Sequence, residues 1–198
     1  MDFTRYQDFE VDGRNVQNVT HAFRLFPEVA LRVFARRGIG RTDAAGQLIL
    51  GEDAWYPLAP WLEGFHEIAN SVGPSKMFEI GRQVPKNSPF PPTIQSIQKA
   101  LESVDVAYHM NHRRKGRVMF DPDTGEMLEG IGHYRAHMTR GATGAVVESH
   151  LVPYPCELDR GLLATLATRF EPNATVVHSP GTECRRNGAD RCTYVVAW

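Results

Sequence analysis

The chain has 198 residues, 42% of them apolar, enough to fill a sizeable core in one globular unit. Its 22 basic and 23 acidic side chains leave a formal net charge of −1. That excludes a broad basic face able to hold nucleic acid or anionic lipid by charge alone. No run approaches the roughly 18 apolar residues of a membrane span. The polar, acidic opening Met1-Asp-Phe-Thr-Arg-Tyr6 also lacks the basic-then-apolar pattern of a signal peptide. The expected location is the cytoplasm, with no membrane insertion and no nucleic-acid partner.

Residues 1–20 carry little periodicity and read as an N-terminal arm or edge segment. From Pro27, the residues Val29, Leu31, Val33 and Phe34 predict a short helix closed at Gly38, with a strand as the alternative. Asp43 to Gly46 reads as a turn before a strand over 47–50. Trp61, Leu62, Phe65, Ile68, Ala69 and Val72 recur at three- and four-residue steps, one buried helix face that ends at Gly73-Pro74. Pro74 can open a second helix, striped by Met77, Phe78, Gly81 and Val84. After the proline-rich loop at 88–92, residues 93–103 predict a third helix with Ile94, Ile97 and Leu101 inward.

Beyond Val104 the apolar period changes from about 3.6 to 2. Asp105 to His112 reads as a strand. Residues 117–120 and 126–129 flank the turn signal Asp121-Pro-Asp-Thr-Gly125 as a hairpin. Two more strands follow at 132–138 and 145–151, then a helix over 157–170 with Leu158, Leu162, Leu163 and Leu166 on one side. A last hairpin closes the chain, with Asn187-Gly188 between two β-branched runs. These elements specify an α+β fold, an antiparallel sheet with helices packed on one face, as a single domain over 21–198.

All three cysteines lie in the final quarter. Cys184 and Cys192 flank the last turn, and Cys156 stands at the start of the preceding helix. Three thiols are an odd set for disulfides and a usable set for one metal ion. His178 shares the strand parity of Cys184 and is the candidate fourth donor, whereas the adjacent Glu183 points to the opposite strand face. The alternative is that the cysteines are small buried hydrophobes.

The stretch from Tyr154-Pro-Cys156 to Cys192-Thr-Tyr194, with its Cys184-Arg-Arg-Asn-Gly188 turn, resembles the C-terminal half of the 4-vinyl reductase domain family over about 45 residues. That family is related in fold to haem nitric oxide binding domains and to subunits of the trafficking protein particle. In phenol-responsive activators with such a domain, three cysteines and a glutamate hold a structural zinc beside a buried aromatic-ligand pocket. The resemblance maps the cysteines onto Cys156, Cys184 and Cys192 and puts Gly181 at the glutamate position. It implies zinc as the cofactor, ahead of haem.

Five histidines fall between 109 and 150. His109, His112, His133 and His137 form a possible alternative site, since imidazole ligates zinc or haem iron and serves as acid or base. Histidines on a polar sheet face are the plainer explanation. His66 is the one histidine within the helical stripes. No nucleophile elbow, phosphate loop, dinucleotide fingerprint or HExxH pair is present.

The combined expectation is a sensor or carrier domain rather than an enzyme, with an apolar pocket lined by Trp61, Phe65, Phe78, Tyr108, Met110 and Tyr134. It would bind a small apolar or aromatic molecule, form a homodimer and act through a separate output protein. The rival readings are a haem-binding gas sensor, an enzyme working through His133, His137 and Glu148, and a dimeric interaction module.

Overall fold

The computed structural model describes residues 2–23, 27–88, 90–141, 143–179 and 183–198, without the side chains of residues 27 and 28. In chain order its elements are β1 (Phe9–Asp12), α1 (Gly13–Ala22), α2 (Pro27–Arg36), β2 (Arg41–Thr42), β3 (Leu48–Ile49), β4 (Trp55–Pro57), α3 (Leu58–Asn87) and α4 (Ile97–Met110). Then come β5 (His112–Arg114), β6 (Arg117–Val118), β7 (His133–Met138), β8 (Gly144–His150), α5 (Cys156–Thr168), β9 (Thr175–His178) and β10 (Arg191–Ala197). The fold is α+β with antiparallel sheets. The chain divides into two compact units, 1–74 with 108–128 and 75–107 with 129–198.

In the first unit the sheet order is β4-β1-β5-β6. Residues 1–20, expected as an arm, instead supply an internal strand and a helix. Phe9 and Val11 of β1 are buried between β4 and β5. Asp12 caps α1, its carboxylate accepting from the amides of Arg14 (2.9 Å) and Asn15 (3.2 Å). The helix buries Gly13, Val16, Val19 and Ala22, too thin a stripe to stand out among polar neighbours. Arg113 of β5 is held by Glu10 of β1 (2.6 Å) and lies over the Trp55 ring. The core of this unit is aromatic, with Trp61 stacked on Phe34 at 4.5 Å and edge-on to Phe65 at 5.4 Å.

The break expected at Gly73 is present: the residue has φ 78 and ψ 172 inside α3, a conformation open to glycine. Asp105 to His112, expected as a strand, belongs mostly to α4. Val106, Tyr108 and Met110 imitate a two-residue period, but the buried positions are Ile97, Ala100, Leu101, Val104 and Tyr108, which is helical spacing. The hairpin around Asp121–Gly125 survives as a bridge between Phe120 and Met127, closed by Gly125 donating to the Asp121 carbonyl at 2.8 Å.

The second unit holds the sheet β7-β8-β10-β9, antiparallel throughout, with α5 packed on one face. Along β10 the burial alternates cleanly: Cys192, Tyr194 and Val196 are inward, Val195 and Ala197 outward. Behind the sheet, α5 crosses the part of α3 after Gly73 at a pair of glycines. A Cβ on Gly161 would stand 2.1 Å from the Phe78 carbonyl oxygen, and one on Gly81 2.2 Å from that of Leu158. Thr165 donates to the Arg82 carbonyl (2.9 Å) in the same crossing. Gly161→Ala is therefore expected to destabilise by about 1–3 kcal/mol through overpacking, outweighing alanine's helix preference of about 1 kcal/mol. Urea denaturation checks this, and an unchanged midpoint would show that the helices separate freely.

Candidate functional site

The three cysteines converge in the second unit. Cys156 opens α5, Cys192 is the second residue of β10, and Cys184 precedes a 3-10 turn at Arg185–Asn187 whose exit needs Gly188 at φ 86. The Cys184 sulfur is 3.9 Å from that of Cys156 and 3.9 Å from that of Cys192. His178, the last residue of β9, completes the group: one ligand atom from each of the four lies within 4.8 Å of the others. Its Nε2 is buried with no hydrogen-bond partner among the described residues. Glu183 faces elsewhere and pairs with Arg191 at 3.5 Å. Gly181 lies outside the described residues.

The cage carries its own positive groups. The Arg185 amide donates to the Cys192 sulfur (3.3 Å), and the Arg186 guanidinium reaches the Cys156 sulfur (3.7 Å) and Glu157 (3.1 Å). The hydrogen bond from Cys156 lowers the Cys192 thiol against the effect of burial, and the Arg185 charge adds to this. The Cys156 thiol is pushed up in return, first by its hydrogen bond to Cys192, then by burial and by the charge of a thiolate beside it.

A buried network holds the loop that carries Cys184. Arg185 bonds the carbonyls of Val152 and Tyr154 (the latter at 3.0 Å), and its guanidinium pairs with Asp159. Tyr134 donates to Asp159 at 2.8 Å, and Tyr194 to the Cys156 carbonyl at 3.0 Å. Burial raises the Asp159 carboxyl despite the pull of Arg185 and Tyr134. In sequence Asp159 reads as an acidic residue favouring a helix N-terminus, so nothing marked it as buried.

The alternative histidines divide between the two units, His109 and His112 in the first, His133 and His137 in the second. His137 is exposed on β7. Glu148 stands opposite Arg135 and pairs with Arg191 at 3.5 Å. His133 bridges two carboxylates, Nδ1 to Asp105 (3.0 Å) and Nε2 to Glu129 (2.9 Å). Asp105, which the sequence did not single out, also accepts from the Tyr134 amide at 2.9 Å. Burial lowers the basicity of His133, but the two carboxylates outweigh it and raise its pKa. A carboxylate facing each nitrogen favours the charged ring, in which both nitrogens donate. Its stabilising contribution is then complete below about pH 6.5 and lost as pH rises through the elevated folded value. Denaturation at pH 5.5 and 8.5 should show this loss, and His133→Gln should flatten it.

In the first unit His109 and His112 are wholly buried. The His112 Nδ1 lies 2.7 Å from the Tyr108 carbonyl oxygen, which requires it to be the donor. Burial lowers its pKa to about 4. His66 packs against Phe3 at 5.1 Å.

The residues expected around a pocket divide among several places. Trp61 and Phe65 are fully buried ring against ring, Phe78 lies under Arg160 (4.1 Å), and Tyr134 serves Asp159. Tyr108 is buried, whereas Met110 is 48% exposed on α4. A shallow groove of about 250 Å³ between α3 and α5 is lined by Pro85, Lys86, Thr165, Leu166, Thr168 and Arg169, none of them an expected pocket residue.

No protein-family model and no curated protein matches the sequence. Solved structures do. An H-NOX protein from S. oneidensis in the Fe(II)NO ligation state is 10% identical, with 93% of this chain and 97% of that chain covered at a TM-score of 0.61. The Fe(II) unliganded H-NOX protein from K. algicida is 12% identical, covering 94% and 95% at 0.59. A Cs H-NOX variant is 15% identical, covering 94% and 95% at 0.60. The chain thus shares the fold of H-NOX (haem nitric oxide/oxygen binding) domains. Two expectations are corrected by this likeness. The resemblance to 4-vinyl reductase domains rested on the last 45 residues, whereas the likeness to H-NOX structures runs along nearly the whole chain. The ranking of zinc ahead of haem fell with it, because the neighbours point to haem. Among the described residues no helix is long and apolar enough to cross a membrane.

Proposed function

We propose that this chain is a haem-binding sensor domain for a diatomic gas that signals to a separate output protein. The supporting observation is the likeness to H-NOX structures over 93–94% of the chain. The donor chemistry of the first unit fits such a group. His112 is wholly buried, and the bond from its Nδ1 to the Tyr108 carbonyl leaves the lone pair on Nε2. A carbonyl accepting from one ring nitrogen in this way orients an imidazole that ligates through the other. His112 would hold the iron, with His109, also buried, three residues before it. Haem, when bound, supplies the iron at which the gas attaches.

The test is the absorption spectrum of the full chain after reconstitution with haem. A Soret band that shifts with nitric oxide is expected, lost in His112→Ala and kept in the exposed-site control His137→Ala. No Soret band after reconstitution would overturn the proposal. Loss in His109→Ala alone would move the ligand to that residue.

A further inference from the structure

The sheet of the second unit ends in an edge that the sensor reading does not use. Its order β7-β8-β10-β9 leaves β9 with β10 as its one strand neighbour among the described residues. We infer that two copies of this chain associate through that edge, β9 pairing antiparallel with β9 of the second copy across a two-fold axis at Val177.

In an antiparallel ladder, alternate residues turn their N–H and C=O toward one neighbouring strand and the residues between turn theirs to the other side. The Ser179 amide donates to the Thr193 carbonyl at 2.8 Å, and the register sets Val177 against Val195 and Thr175 against Ala197. Thr175, Val177 and Ser179 therefore bond to β10, and Val176 and His178 present their backbone groups to the open edge. A two-fold axis at Val177 sets Val176 of each copy opposite His178 of the other, so each of these groups gains a partner. The segment Thr175-Val-Val-His178 has the β-branched content of a pairing strand. It carries none of the lysines, prolines or bulges that blunt an exposed edge. The edge calls for an uncharged strand of matching pattern, and β9 itself is one.

The side chains agree with this. Val177 is 53% exposed and Val195 41%, and the register aligns them with the half-buried Val146 in one row across the outer face. Edge pairing continues that row through both copies, with Val177 against Val177 at its centre. Charge selects the edge over the face. The outer face bears Arg135 and His137 on β7, His150 on β8 and Arg191 on β10. Against them stands Glu148, which already pairs with Arg191 at 3.5 Å. Stacking two such faces would press these basic groups together, whereas edge pairing leaves β7 of each copy at the far ends of one continuous sheet. A four-residue edge makes an interface at the small end of the specific range, where association is weak and reversible.

Sedimentation equilibrium of the full chain tests this, with reductant present so that the free thiols do not link copies. A monomer–dimer equilibrium is expected, together with hydrogen exchange at the Val176 and His178 amides that slows as chain concentration rises. Val177→Lys should weaken dimerisation by more than about tenfold, since it sets two like charges across the axis. Val195→Lys, one strand further in, should weaken it less. Ile49→Lys, at an exposed apolar residue of the first unit, should leave it unchanged. Circular dichroism verifies that the variants fold, and the exchange measurement needs no variant. A monomer at every concentration would leave the edge to a different strand and overturn the inference. So would exchange at the two amides that ignores concentration, or equal losses in Val177→Lys and Val195→Lys, the mark of stacked faces. None of these readouts requires haem, so this inference and the sensor reading fail separately.

Discussion

Replacing Asp159 by leucine is expected to cost about 3–5 kcal/mol of stability, the usual result of stripping one partner from a buried ion pair. Asp159 is 1% exposed and Arg185 8%. Without the carboxylate, the guanidinium remains in the interior with only the Val152 and Tyr154 carbonyls and the Tyr194 hydroxyl. Tyr134 loses its acceptor at the same time. The pair itself need contribute little net stability, because burial opposes the Asp159 charge. The double variant Asp159→Leu with Arg185→Met should therefore recover most of the loss. Urea unfolding of both singles and the double decides this. A single-variant loss below about 1 kcal/mol, the range of exposed pairs, would mean that water reaches Arg185.

The same network explains why some of the site was legible in the sequence and some was not. The cysteines could be brought together from spacing, because Cys184 lies before the last turn, Cys192 lies on the strand after it, and Cys156 begins the helix that packs on that sheet. His178 was nominated by its parity with Cys184, and as the last residue of β9 it lies in the same group. Asp159 and Arg185 were not found. A helix-terminal aspartate and an arginine in a polar turn look like surface charges, and only three-dimensional closure makes them mutual partners. Asp105 was missed for a related reason. It fell in a segment read as strand, while its real role, holding the His133 ring and the Tyr134 amide, depends on α4 continuing to Met110.

Short-range pattern also explains the two corrections. A local motif of turn, cysteines and aromatic strand describes how about 45 residues are arranged, and unrelated functions can share that arrangement. The order of elements over 198 residues is a stronger constraint, because each connection must be matched in sequence. It favours the H-NOX fold at identities of only 10–15%. At that distance the likeness shows the fold alone, so His112 must be tested in this chain.

Trp61→Ala is expected to remove about 3–5 kcal/mol, the cost of truncating a fully buried aromatic. Trp61 is 0% exposed and stacks on Phe34 with the planes 23° apart, while Phe23 and Phe65 close the cluster at 5.6 Å from each other. α3 delivers Trp61 and Phe65 to one face, and α2 delivers Phe34, so the deletion removes the ring against which Phe34 and Phe65 pack. Trp61→Phe should cost distinctly less, since a ring still stacks on Phe34. The comparison separates two roles for the same residue. If Trp61 is core, the alanine variant loses stability and regains part of it when indole fills the void, by binding only the folded state. If Trp61 instead lines a chamber that is open in the native protein, truncation enlarges that chamber at little cost and indole has no larger effect than on the parent chain. Thermal unfolding of both variants with and without indole distinguishes these outcomes, and a loss near zero would return Trp61 to the wall of a ligand pocket.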